Sequence, residues 1–162
     1  MIARNLARAV AGVALTWAAL GCGGGDNSTG PEELEFPEIS SEVRTIYCVR
    51  GNVTVGDSES STITDDDCDA DDSYFETYIV KVASTTSVTF EVESGFDSYL
   101  FLGRLESISG LDVDVTELAE DDDSGDGTDA RLTFTLQPDT DYVIAVSGYD
   151  YFEVGPYTLS IR

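Results

Sequence analysis

Carboxylates are the chemistry this sequence offers in quantity. Of 162 residues, 32 are Asp or Glu against 8 Lys or Arg, with no histidine and a formal net charge of −24. The acids bunch in two loops. The first, residues 65–76, reads Asp-Asp-Asp-Cys-Asp-Ala-Asp-Asp-Ser-Tyr-Phe-Glu, which puts carboxylates at positions 1, 3, 5, 7 and 12 counted from Asp65. Helix–loop–helix calcium sites use that spacing. Here position 6, where such a loop turns on glycine, is Ala70; Cys68 sits inside the loop, and neither flank reads as a helix. That geometry is set aside, while Asp71, Asp72 and Glu76 stay candidate oxygen ligands in another one. The second loop offers Asp121, Asp122, Asp123 and Asp126 around Gly125 and Gly127, with Asp97 approaching from a neighbouring turn. Hard oxygen donors on adaptable backbone suit Ca²⁺, the one candidate cofactor. The competing reading is a solvated rim that keeps sheet ends from aggregating.

Catalysis has little to draw on. Without histidine there is no Ser-His-Asp or Cys-His arrangement and no imidazole base. Lys81 is the sole lysine and falls in a strand pattern. Paired carboxylates can cleave glycosides, but these ones lack an evident apolar pocket to raise one partner's pKa. A non-enzyme is expected. Tyr149, Tyr151 and Phe152, beside Asp150 and Glu153, form an aromatic loop tip. Such a tip reads either as a contact for a protein or polysaccharide ligand or as packing at a sheet edge. The acidity argues against nucleic acid and anionic headgroups as partners.

The three cysteines divide by position. Arg4 and Arg8 precede an apolar stretch from Ala9 to Leu20, and Ala19-Leu20-Gly21-Cys22 closes it. This is the layout of a secretory signal. A cysteine at the cut point resembles the lipobox of bacterial lipoproteins, which implies acylation of Cys22 and a membrane anchor made of several chains. Residues 1–21 would leave as the signal peptide, making the balance two charges more negative. Gly23 after the cysteine leans towards the outer membrane by analogy with lipoprotein sorting. Export permits a disulfide between the remaining pair, Cys48 and Cys68; closing that loop contributes about 3 kcal/mol in the chain-entropy picture.

Residues 22–42, rich in Gly, Ser, Pro and Glu, read as a flexible tether. From residue 43 onward the apolar period is two. Tyr78, Val80 and Val82 form one stripe; Val88, Phe90 and Val92 a second; Leu132, Phe134 and Leu136 a third; Tyr142, Ile144 and Val146 a fourth; Tyr157, Leu159 and Ile161 a fifth. Further strands are expected at Ile46–Val55 and Tyr99–Leu105, with Ser107–Leu118 ambiguous and no convincing helix. Turn signals at Glu93-Ser94-Gly95, Gln137-Pro138-Asp139 and Gly155-Pro156 separate them. Seven or eight short strands over residues 43–162 suit one antiparallel β-sandwich, each sheet burying one face.

The landmarks Gly51-Asn52-Val53-Thr54-Val55, Glu76–Val82, Phe96-Asp97-Ser98-Tyr99-Leu100, Glu120–Gly125 with Ala130–Leu136, Asp141–Val146 and Gly155-Pro156-Tyr157-Thr158-Leu159 occur in order. Together they resemble the bacterial pre-peptidase C-terminal domain, a jelly-roll-like sandwich often appended to secreted proteases. No peptidase domain precedes the module in this sequence. Related collagen-binding sandwiches use calcium near the second strand and exposed tyrosines near the last hairpin. Tyr149 falls at one such position, whereas its counterpart two residues earlier is Ser147. The expectation is a monomeric, lipid-anchored envelope protein presenting an all-β, non-catalytic binding or adhesion module. The alternatives are a purely structural acidic protein and an accessory partner of a separately encoded protease.

Overall fold

The computed structural model describes residues 34–162; the expected signal peptide, Cys22 and the first part of the tether lie outside the described residues. The described chain opens with one short helix, α1 (Ser41–Ile46). Ser40 caps it, its hydroxyl accepting from the Val43 amide at 3.3 Å, with Glu42 in the first turn and Arg44 in the last. Six residues with one buried apolar side chain, Val43, give no periodicity to read from sequence. The helix starts inside the stretch expected to be tether, and the expected strand at Ile46–Val55 shortens to Val49–Val53.

Among the described residues ten strands make two sheets. The larger contains β1 (Val49–Val53), β3 (Cys68–Ala70), β4 (Ser73–Val80), β6 (Ser98–Ser109), β7 (Asp112–Asp121) and β9 (Tyr142–Gly148) in the order β1-β4-β9-β6-β7, with β3 also on β4. The smaller holds β2 (Ser58–Ile63), β5 (Thr86–Ser94), β8 (Arg131–Leu136) and β10 (Gly155–Ile161) in the order β2-β10-β5-β8. Every pairing among the described residues is antiparallel except β1 with β4, which run parallel. The all-β sandwich expected from sequence is the observed architecture. The ambiguous stretch 107–118 is a hairpin: β6 and β7 turn at Gly110, whose φ of +65° suits glycine.

Between the sheets lies the core, in which Ile63, Phe90, Leu100, Leu136, Ile144 and Leu159 are fully buried. The smaller sheet behaves as its alternation predicts, apolar side chains inward and Ser, Thr and Glu outward. The larger sheet does not. On β4, β6 and β9 the residues between the core positions, among them Phe75, Ile79, Phe101 and Ala145, are also buried. Successive side chains point to opposite faces of a strand, so this sheet is covered on both sides. The outer cover is the N-terminal segment, with Val43 at 1% exposure, together with the β6–β7 hairpin. The expectation of one buried face per sheet is corrected here. A side chain at Gly103 would put its Cβ 2.2 Å from Val115 Cγ1, so the outer layer closes over β6 only because that position is glycine.

The disulfide forms as expected between Cys48 and Cys68. It joins the chain just after α1 to the start of β3, and so pins the helix end to the edge of the larger sheet.

Candidate functional site: an acidic, aromatic end of the sandwich

Four connections meet at one end of the sandwich: the β3–β4 turn at Asp71–Asp72, the β5–β6 turn, the β7–β8 loop and the β9–β10 loop. Backbone hydrogen bonds stitch them together. The Tyr149 amide donates to the Asp97 carbonyl at 2.8 Å, the Phe152 amide to the Asp72 carbonyl at 2.9 Å, and the Ser98 amide to the Thr128 carbonyl at 3.0 Å. The Ser98 hydroxyl, wholly buried, accepts from the Ala130 amide at 2.8 Å. Glu153 ties down its own loop, its two oxygens accepting from the Asp97 amide at 3.4 Å and the Asp150 amide at 3.2 Å. Phe152 adopts φ +59° and rests its ring against Tyr74, centroids 5.9 Å apart.

On this braced base the aromatic tip stands in solvent. Tyr149 is 56% exposed, Tyr151 72% and Phe152 56%, so most of each ring faces outward even where Phe152 leans on Tyr74. Around them the carboxylates crowd. Burial, then the charges of Asp123, Glu153, Asp150 and Asp122, push the Asp97 carboxyl above its usual range. Its Oδ1 is buried with no hydrogen-bond partner among the described residues. None of the ion pairs among the described residues involves these five acids.

The candidate metal ligands scatter into different roles. Asp97, Asp122 and Asp123 share the acidic end, and the turn bearing Asp71 and Asp72 lies beside it. Asp121 is a loop brace, its carboxylate accepting from the Ser124 amide and hydroxyl and from the Arg131 amide at 2.8 Å. Asp126 turns the same loop, its carbonyl accepting from the Asp129 amide. Glu76 is corrected most. It points into the sandwich at 1% exposure, where one oxygen accepts from Arg50 Nε at 2.6 Å and the other from the Tyr157 hydroxyl at 2.6 Å. Among the described residues no group of three or more His, Cys, Asp or Glu side chains is arranged to hold a metal ion.

Two features escaped sequence reasoning. One is the Arg50–Glu76–Tyr157–Tyr78 network, whose members lie far apart in sequence. The other is a cleft of about 490 Å³ on the outer face of the larger sheet. The unbroken apolar runs Tyr78-Ile79-Val80 and Val143-Ile144-Ala145-Val146 were the available signal for it, since two-sided burial abolishes alternation.

No family model matches the chain, and no curated protein matches it. Among solved structures it is similar to the pre-peptidase C-terminal domain of a collagenase from Bacillus anthracis, at 20% identity and a TM-score of 0.50, over 69% of this chain and 93% of that one. It also aligns with PliG of Aeromonas hydrophila, a periplasmic inhibitor of g-type lysozyme (15% identity, TM-score 0.46, 70% and 99% covered). A third is CorA, a surface-associated copper-binding protein of Methylomicrobium album BG8 (8% identity, TM-score 0.48, 71% and 98% covered). Only the first supports an inference, and at that identity it concerns the fold alone: the sandwich is built like a pre-peptidase C-terminal domain.

Proposed function

We propose that this chain is a non-catalytic binding module of the cell envelope, anchored through lipid on Cys22, which engages a basic protein segment through its acidic, aromatic end. The observation that supports this is the exposed trio Tyr149, Tyr151 and Phe152, set among Asp97, Asp122, Asp123, Asp150 and Glu153. Aromatic faces attract Lys and Arg head groups, and a field of one sign speeds the approach of an oppositely charged partner. The surrounding loops are braced by backbone hydrogen bonds, so little ordering cost falls on association.

Surface-immobilised protein is probed with an array of matrix proteins and glycans and with Lys/Arg-rich peptides at low and physiological salt. Salt-sensitive binding to basic ligands that is lost in a Tyr149→Ala/Tyr151→Ala/Phe152→Ala variant is the expected result. Binding that ignores those three residues, or none at all, returns the module to a structural role. Fatty-acid labelling that disappears in Cys22→Ser checks the anchor separately.

A further inference from the structure

Among the described residues the sheets end in β1, β3 and β7 on the larger and in β2 and β8 on the smaller. Sheet edges are commonly blunted against stray pairing by charges, bulges, inward-pointing charged residues or short length. β1 is five residues long, with a break of register between Val49 and Gly51, and β3 has only three residues. β7 is ten residues with five acids and breaks register twice against β6. On β2, Glu59 pairs with core residue Leu159 and so points inward. β8, Arg131-Leu132-Thr133-Phe134-Thr135-Leu136, has none of these devices: no acid, Pro, Gly or break of register against β5. Its one charge, Arg131, is drawn onto Glu91 of β5.

The free side of β8 can be read from its neighbour. On β5 the Thr89 amide donates to the Arg162 carbonyl at 2.7 Å, and the Arg162 amide donates back at 2.8 Å. Thr89 therefore spends both backbone groups away from β8. Its cross-strand partner Thr133 must turn its own amide and carbonyl to the open side, as must Thr135 two residues on. Arg131 has the same parity, and its amide does donate outward, to Asp121 Oδ2 at 2.8 Å.

We propose that β8 is a docking edge, on which the basic partner segment adds as a further antiparallel strand, its C-terminal end carrying Lys or Arg into the β7–β8 loop. This rests on the reading of the loop end as a site for a basic partner. Pairing throughout the smaller sheet is antiparallel, and Thr133 and Thr135 supply main-chain bonds for strand addition. Phe134, half-buried at the margin of the core, offers apolar contact to the inward side chains of the newcomer. Charge sets its polarity. β8 begins where the acidic loop ends, and Asp126 lies near enough for its charge to act on Arg131. A strand antiparallel to β8 brings its C-terminal end to that loop, where the exposed Asp123 and Asp126 favour cations.

The probe is a capped peptide of alternating Val and Thr that ends in Gly-Arg-Lys-Arg, titrated into the isotopically labelled full chain beside its order-reversed counterpart. Amide hydrogen exchange at Thr133 and Thr135 should be fast in the free protein and slow at least tenfold at saturating peptide. The reversed peptide should bind at least tenfold more weakly. N-methylation of alternate peptide residues should abolish binding in one set and spare it in the other, a readout that needs no protein variant. Thr133→Pro removes an amide that β5 does not use, so it should keep the fold and lose the peptide. Unchanged exchange at Thr133 and Thr135 under saturating peptide overturns strand addition. If that binding still needs Tyr149, Tyr151 and Phe152, the basic-partner reading stands without it. Edge protection that survives Tyr149→Ala/Tyr151→Ala/Phe152→Ala supports β8 and removes the aromatic tip from the site. Protection that rises with protein concentration in the absence of peptide assigns the edge to a second copy and overturns the proposal. No binding of either peptide overturns both readings.

Discussion

Truncating Glu76 is the sharpest way to ask what holds the two sheets in register. This carboxylate links β1 through Arg50, its own strand β4, and β10 of the opposite sheet through Tyr157. The Tyr157 hydroxyl in turn meets that of Tyr78 at 2.8 Å. Glu76→Ala deletes two hydrogen bonds to a carboxylate, each contributing roughly 1.5–3 kcal/mol when a charged group takes part. Two features moderate the loss. Arg50 is 43% exposed and retains Asp67 and water, and the Tyr157 hydroxyl retains Tyr78. The net cost should be about 3 kcal/mol, the low end of what breaking a buried pair costs. Glu76→Gln should cost only about 1–2 kcal/mol, since its carbonyl can still accept from Arg50 while its amide donates to a reoriented Tyr157 hydroxyl. Urea unfolding measures both; Trp17, the sole tryptophan, lies in the expected signal peptide, so far-ultraviolet dichroism and tyrosine fluorescence are the probes. A double-mutant cycle with Tyr157→Phe then isolates the contact between sheets. A cost for Glu76→Ala below about 1 kcal/mol, or strict additivity with Tyr157→Phe, would refute the reasoning.

Asp97→Asn should raise the melting temperature at neutral pH. The native carboxyl titrates above its unfolded value, so the wild type regains stability as pH falls through the folded pKa, and the gain from Asn should fade over the same window; a pH series of melts checks it. Cys48→Ser/Cys68→Ser should cost about 3 kcal/mol for a loop of sequence separation 20, read as a lowered urea midpoint. Gly103→Ala should destabilise by about 1–3 kcal/mol through the clash with Val115, and Val115→Ala should recover part of that in the double variant. Calcium should move the melting temperature no further than magnesium at the same concentration, because the carboxylates that gather at the loop end, close as they are, include no group of three arranged to hold an ion among the described residues; a calcium-only shift that Asp97→Asn abolishes would contradict this.

The strands of the smaller sheet were readable because water lies on one side of them: Val88, Phe90 and Val92 point inward, and Thr89 and Glu91 do not. The same rule misdescribed β4 and β9. There Ile79, Val143 and Ala145 fill the places that polar residues would hold on a solvated face, and an alternating template counts only every second one. Helix α1 was illegible for want of length. Residues 71, 72, 97, 122, 123 and 149–152 were each visible as acids or aromatics in loops, yet their gathering at one end depends on strand order, which local pattern does not encode. Glu76 looked like its loop neighbours from Asp65 onward. What separated it was its place inside β4, on a side chain aimed between the sheets.

The position of the disulfide has a mechanical consequence. Between Cys48 and Cys68 run β1, in the larger sheet, and β2, on the edge of the smaller one. Tension arriving from the N-terminal side reaches Cys48 before it reaches β1, and there it divides, part passing directly into β3. Neither β1 nor β2 can then be peeled from its sheet end by end, because both lie within a covalent ring that carries load around them. A chain pulled to rupture would extend short by the ring's slack, on the order of 60–70 Å at about 3.3–3.6 Å per residue. Under force, the sandwich behaves as a buckled strap rather than an open thread.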